Sequence, residues 1–285
     1  MINHRRKFNH MTNESPKTKK KINYPRLTTA AGVGLVVLGA IYYGPLAIAS
    51  LLGLIAIFGG FELKNIVDAE GGVISKFLHI GLATVPILYF GSGSVHPHIF
   101  QGTMILSVII MIVLIANLWG DAIPYNRIKY PFAFFYWGVP FGLATYYIFN
   151  ANADVPLMFL GVILLLWTSD TMAYFTGKAF GKNKLFPSVS PGKTREGSLG
   201  AGFFSMVVAG IYAYVTDQSI FQWLIIGVVV WIIGTLGDLV ESKIKRVQHV
   251  KDSGSILPGH GGFLDRFDSL VMVLPFLIAL DYYFS

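Results

Sequence analysis

Nine apolar runs, separated by polar connections, leave this chain few ways to fold. They cover approximately 27–43, 45–61, 77–90, 99–118, 131–149, 155–175, 198–215, 220–240 and 267–284. Only 13% of the residues are charged, about half the share of a soluble domain. Most runs approach the ~20 residues that a helix needs to cross a bilayer. In hydrocarbon each backbone N–H and C=O must be satisfied within the spanning structure, which selects helices here. The expected fold class is all-α: a polytopic integral membrane protein with about nine transmembrane helices. The first two runs are separate because Tyr43-Gly44-Pro45 is a turn signal and their sum is too long for one crossing. The third run, 77–90, is the shortest.

The distribution of Lys and Arg tests that count. Cytoplasmic loops carry the positive charge. With the N-terminus inside, the tail holds 8 Lys and Arg, the loops after runs two and four hold 2 each, and those after runs six and eight hold 5 each. That is every one of the 22 in the chain, and the outer connections hold none. A wrong span count scatters them over both sides. The expected topology is therefore nine helices, N-terminus cytoplasmic.

Residues 1–26 form a basic, polar tail, expected to be unstructured and close to anionic headgroups. It has no apolar core before a small-residue cleavage site, so no cleavable leader is expected. About five membrane helices follow over 27–150, then about four over 151–285 with two long cytoplasmic loops, 177–197 and 242–266. The net charge of +7 is spread along the chain and not gathered on a soluble domain, so nucleic acid is not an expected partner. Cysteine is absent, which excludes disulfides and thiolate metal sites.

The outer connections are short, whereas the two long inner loops collect the polar side chains. Transporters typically hold substrate groups near the bilayer midplane. Here the reactive residues gather on one face, at the cytoplasmic ends of the last four helices, which favours an enzyme at the membrane surface. The N-terminal half offers few candidates beyond Glu62.

Asp170, Asp238 and Asp265 lie at or within helix ends. A carboxylate in hydrocarbon costs several kcal/mol unless paired, so each is a functional candidate; a structural ion pair is the alternative. Asp238 and Glu241 are three apart and Lys245 follows four later, so they share a helix face. Asp265 and Asp268 are also three apart, at the start of the last helix, where the dipole favours anions. Oxygen donors from two elements suit a hard cation such as Mg²⁺, usually completed by substrate phosphates. Lys245, Arg246, Lys251 and Arg266 supply charge for those phosphates.

The other inner loop contains Ser190-Pro191-Gly192-Lys193-Thr194, then Glu196 and a run of small residues opening a helix. A P-loop reading fails, because Pro187 occupies the first glycine position and no strand is expected before it. A phosphate cradle of helix-start N–H groups, hydroxyls and Lys193 remains. Ser190 and Thr194 serve equally well as helix caps, and the residues alone leave both readings open. His260, between glycines, is a poor candidate for a metal ligand. Gly259, Gly261 and Gly262 let the backbone pass close to a ligand or helix start.

The segment SKIKRVQHVKDSGSILPGHGGFLDRFDS, 242–269, resembles the signature of the phosphatidate cytidylyltransferase (CDP-diacylglycerol synthase) family. That signature runs Ser-x-apolar-Lys-Arg, then Lys-Asp-x-small, then apolar-Pro-x-His-Gly-Gly-apolar-x-Asp-Arg-x-Asp. Ser242, Lys245, Arg246, Lys251, Asp252, Gly254, Leu257, Pro258, His260, Gly261, Gly262, Asp265, Arg266 and Asp268 meet its fixed positions. Asp170 with Ala173-Tyr174 and Gly177, and SPGKTREGSLGA, also look like the family. Arg195 departs from it, standing where many members carry Trp or another apolar residue. The resemblance covers about 167–269; the first five helices match in hydropathy only.

The resemblance implies that CTP and phosphatidic acid give CDP-diacylglycerol and pyrophosphate with Mg²⁺, that K⁺ shares the centre, and that the chain forms a homodimer in the cell membrane with its active site on the cytoplasmic side. It assigns the metal to Asp238 and Asp265. The candidate catalytic set is Lys193, Lys251, Asp252, Arg266 and Asp268. Ser190, Thr194, Glu196, Lys245, Arg246, His260, Gly261 and Gly262 are candidate substrate contacts, with Asp170 and Glu241 supporting the metal or a second cation. A CTP-dependent polyprenol kinase or another CDP-lipid synthase is the alternative enzyme, and a transporter the alternative class.

Overall fold

A computed structural model describes residues 24–151, 154–254, 256 and 261–284. The helices are α1 (Tyr24–Tyr43), α2 (Pro45–Val67), α3 (Val73–Gly91), α4 (Pro97–Ala116), α5 (Lys129–Phe132), α6 (Val139–Asn150), α7 (Val155–Phe180), α8 (Arg195–Val215), α9 (Ile220–Val247) and α10 (Asp268–Phe284). A π turn, Ala133–Gly138, joins α5 to α6, so Lys129–Asn150 is one continuous rod. Each apolar run therefore meets a helical rod. Seven rods among the described residues are long and apolar enough to cross a membrane; Ala31–Tyr43 in α1 is a shorter apolar stretch, and α10 has 17 residues. The protein is a predominantly helical integral membrane protein. Leu35, Leu46, Ile74, Leu88 and Phe221 are exposed on the outside of the bundle, as lipid-facing positions require, since hydrocarbon is as apolar as leucine.

Four boundaries differ from the hydropathy reading, the first being the end of α2, which runs on past 61 to Val67. The third helix is not short: α3 starts at Val73, because Ser75 and Lys76 interrupt the apolar run without breaking the helix. α7 runs on to Phe180 and α9 to Val247, so both long inner loops are shorter than expected. The fold is also not purely helical. β1 (Lys184–Phe186) and β2 (Ser190–Thr194) pair antiparallel, Lys184 opposite Thr194 and Phe186 opposite Ser190. A strand thus does precede Gly192-Lys193-Thr194, which itself lies in β2; the departure at Pro187 is what still separates it from a P-loop. Of the basic tail, 1–23 lies outside the described residues, and Tyr24–Arg26 already belong to α1.

The C-terminal helices pack in sequence, α7 on α8, α8 on α9 and α9 on α10. The α7–α8 crossing is close at the end that carries the hairpin. A Cβ on Gly197 would come within 2.8 Å of the Ala173 carbonyl oxygen and 3.1 Å of Gly177 Cα. Small residues permit such approach, which is the usual means of helix association in lipid. This contact seats the β1–β2 hairpin over the ends of α7 and α9.

Candidate active site

A cavity of about 560 Å³ opens between α7, β2, the start of α8, α9 and the turn before α10. Asp170, Lys193, Thr194, Asp238, Asp265, Arg266 and Asp268 line it. Seven residues singled out from sequence, drawn from four separate stretches, thus converge on one space. A second groove of about 480 Å³ runs between α1, α7 and α10, lined by apolar Val33, Val37, Leu166 and Trp167. The two spaces share Asp170, Asp265, Arg266 and Ser269. Charged side chains crowd the first, aliphatic and aromatic ones line the second between α1 and α7, and Arg266 borders both.

Each of the two expected metal ligands holds an ammonium. Lys193 Nζ lies 2.6 Å from Asp238 Oδ2 and within 3.5 Å of the Thr235 carbonyl oxygen. Lys245 Nζ lies 2.6 Å from Asp265 Oδ1 and 2.9 Å from Glu241 Oε2. Carboxylate oxygens of Asp238, Glu241 and Asp268 lie within 4.8 Å of one another. The trio that geometry gathers therefore contains Asp238 but has Glu241 and Asp268 in place of Asp265, although Asp265 lines the same cavity. Residues on two elements, α9 at 238 and 241 and the start of α10 at 268, create it. Glu241 Oε1 is buried with no hydrogen-bond partner among the described residues. An all-oxygen set with an orphaned buried acceptor fits a hard divalent cation.

Asp265 sits in a 3-10 turn, Leu264–Arg266, before α10. Burial alone would raise its pKa, but hydrogen bonding with Glu241 and Lys245, the Lys245 charge and the Gly262 N–H together hold it at about 2, below the ordinary 3.8. A carboxylate depressed in this way stabilises the fold above its unfolded pKa, and that contribution disappears as pH falls through the folded value. The melting-temperature gap between the parent protein and Asp265→Asn is expected to be constant above about pH 5 and to close between about pH 4 and pH 2. A gap that closes near neutral pH in detergent melts would contradict the pairing.

The remaining candidates divide. Thr194 N-caps α8, accepting from Gly197 N at 3.1 Å, and also lines the cavity, so the capping reading holds alongside a substrate-facing position. Glu196 accepts hydrogen bonds from the Lys182 and Asn183 backbone N–H groups and Asn183 Nδ2, tethering the hairpin outside the cavity lining. Ser190 lies in β2 opposite Phe186 and does not line the cavity either. Arg246 donates to the Val250 carbonyl oxygen and lines an outer cleft beside Trp119 and Phe186. Lys251 and Asp252 are exposed in a bend. Gly261 has φ +80, a left-handed conformation suited to glycine, and Gly262 N donates to Asp265. His260 lies outside the described residues.

The cytidylyltransferase family pattern matches residues 24–284. The chain belongs to the cytidylyltransferase family. Among relatives, a protein of Staphylococcus aureus (strain COL) named phosphatidate cytidylyltransferase is 45% identical over 141 residues, 49% of this chain and 54% of the relative. One of the same name from Bacillus subtilis (strain 168) is 49% identical over 124 residues, 43% of this chain and 46% of the relative. The chain spans about half the length of the curated relatives it matches.

Within this cytidylyltransferase-family chain, sequence reasoning passed over Lys178 and Thr235, which also line the cavity. Helical spacing carried a signal for both. Thr235 is three residues before Asp238, and Lys178 eight after Asp170, both on the same faces. It also missed Lys243, which donates to the carbonyl oxygens of Asn117 and, at 2.8 Å, Gly120, tying α9 to the end of α4.

Proposed function

We propose that this chain transfers a cytidylyl group from CTP to phosphatidic acid, giving CDP-diacylglycerol and pyrophosphate. The observation that carries the reading is the junction of two spaces at Arg266 and Asp170, one crowded with charged side chains and one lined between α1 and α7 by aliphatic and aromatic residues. A nucleoside triphosphate suits the polar cavity, and an acyl-chain lipid with an anionic headgroup suits the groove. A phosphate oxygen of the lipid attacks the α-phosphorus of CTP in line; the bond from that phosphorus to the bridging oxygen of the β-phosphate breaks, and pyrophosphate leaves. The nucleophile is already anionic, so positioning and charge neutralisation carry the rate, and no strong base is required. Lys193 and Arg266, which line the cavity, neutralise the triphosphate and leaving group, and Lys251, exposed outside that lining, is the third cation of this reading. Asp238, Glu241 and Asp268, with Asp265, are the residues to hold Mg²⁺, which supplies charge neutralisation at the phosphates when bound; K⁺ is the second cation of this reading. Lys245 pairs with both Asp265 and Glu241 and holds the two carboxylates in place. The test is the purified chain with labelled CTP, offered phosphatidic acid or a polyprenol. CDP-diacylglycerol and pyrophosphate are expected from the first, and CTP-dependent phosphorylation of the polyprenol instead would overturn the acceptor.

The same reading takes nine crossings with the N-terminus cytoplasmic, a cell-membrane location with the cavity facing the cytoplasm, and a homodimer. The support for the crossings and orientation is the confinement of all 22 Lys and Arg to the tail and alternate connections; the homodimer and the cell membrane follow from the family resemblance alone. The chain has no cysteine, so a single Thr216→Cys, at the C-cap of α8, gives a clean topology probe. It is expected to react with an impermeant maleimide from outside intact cells, and reaction only after permeabilisation would reverse the topology.

A further inference from the structure

A cleft of about 550 Å³ lies between the β1–β2 hairpin, the end of α4 and the end of α9, lined by Trp119, Phe186, Ser188, Lys243 and Arg246 among others. It shares no lining residue with the polar cavity. The hairpin is a wall of both spaces: Leu185 borders the cavity and its neighbour Phe186 the cleft, as successive strand residues do. Lys243 and Arg246 are three apart and share a face of α9. No carboxylate lines the cleft, and among the described residues neither cation has an ion-pair partner. Lys243 is anchored by the carbonyl oxygens of Asn117 and Gly120. Arg246 is exposed and donates to the Val250 carbonyl oxygen at 3.3 Å, which leaves further N–H groups for a ligand. Trp119 is 70% exposed and meets Phe186 edge-on, ring centroids 5.6 Å apart. It ends the rod Pro97–Trp119, whose exposed Ile105, Ile109, Ile112 and Val113 form one lipid-facing stripe. A Trp at the end of such a stripe marks the headgroup level.

We propose that this cleft binds the phosphodiester headgroup of an anionic membrane phospholipid, at a site separate from the polar cavity and its adjoining groove. Two cations with no carboxylate among the lining residues select an anion, and the Arg246 guanidinium matches phosphate oxygens in its fork geometry. Trp119 selects a lipid over a free phosphate compound. Acyl chains lie along the exposed stripe of α4, and the headgroup turns past the indole into the cleft, as headgroups do in basic pockets at helix ends. A headgroup seated there backs Phe186 and so braces the hairpin that carries Lys193 on the cavity side. That bracing bears on turnover only under the proposed cytidylyl transfer; the binding does not depend on it.

The test uses the full chain in a neutral detergent and needs no turnover. Phosphatidylglycerol or phosphatidylcholine is titrated in, and bound lipid is counted by native mass spectrometry. Phosphatidylglycerol is expected to bind about tenfold more tightly than phosphatidylcholine, and Arg246→Gln and Trp119→Ala are each expected to weaken it about fivefold. Lys76→Gln, which removes an exposed charge at the start of α3, is the control and is expected to change binding less than about twofold. Hydrogen exchange over 184–194 locates the lipid: phosphatidylglycerol is expected to slow it about threefold in the parent and not in Arg246→Gln. Unchanged binding in both cleft variants would refute the site, as would an equal loss in Lys76→Gln, which would mean diffuse surface attraction. Displacement of phosphatidylglycerol by an equal concentration of inorganic phosphate would overturn the lipid assignment. Should Trp119→Ala fail to fold, the exposed Arg246→Gln decides by the same comparison. A chain that binds as expected but turns over no CTP would remove the cytidylyl-transfer reading and leave this site in place.

Discussion

Asp238→Asn is expected to lower turnover by at least about a hundredfold while the protein still folds. Asp238 is the residue common to the acidic trio and the Lys193 pair. The amide removes one anionic donor from the proposed Mg²⁺ site and leaves Lys193 without its counter-charge next to the incoming triphosphate. Stability should change little. The two side chains are 27% and 35% exposed, and ion pairs that open to water contribute about 0–1 kcal/mol. The measurement is turnover against Mg²⁺ concentration, paired with a thermal melt. Asp238→Asn retaining near-normal Mg²⁺-dependent activity would remove this residue from the cation site.

Gly262→Ala is expected to be nearly as severe, by a different route. A Cβ there would lie 1.6 Å from Ser253 Oγ, 2.8 Å from Glu62 Oε2 and 2.8 Å from Gly254 N. The serine hydroxyl can rotate away, but the carboxylate is buried and the backbone nitrogen cannot move without shifting the main chain at Gly254. Gly262 N also donates to Asp265 at 3.0 Å. A methyl group therefore displaces the turn that aims Asp265, and turnover is expected to fall by about a hundredfold or more. Adding Ser253→Ala relieves only the first clash, so the double variant should stay inactive. Recovery of activity in that double variant would show that the hydroxyl contact alone matters.

These two residues illustrate different degrees of legibility. The importance of Asp238 is readable because helical spacing is a local property: 238, 241 and 245 fall on one face whatever the helix packs against, and a charge near hydrocarbon needs a partner. The helices are readable for a related reason, since a backbone in lipid has almost no alternative way to satisfy its hydrogen bonds. The β1–β2 hairpin was not readable. Its few residues carry no alternating pattern, and it is held by Glu196 and by the close α7–α8 crossing. Nor was the partner choice among the carboxylates. Spacing brings Asp265 and Asp268 forward together, but the 3-10 turn at Leu264–Arg266 sends the first to Lys245 and the second to the trio with Asp238 and Glu241.

What residue order decided here is everything governed by solvent and by the backbone's own period: a helical membrane protein, basic residues confined to the tail and alternate connections, and acidic residues grouped at the ends of the last helices. Only the folded arrangement decided which side chains meet. Glu62 contacts Ser253 across 191 positions and Leu264 across 202. No local pattern encodes such a pairing, because it exists only once α2 has packed beside the turn that precedes α10 and excluded the water that would otherwise satisfy the carboxylate.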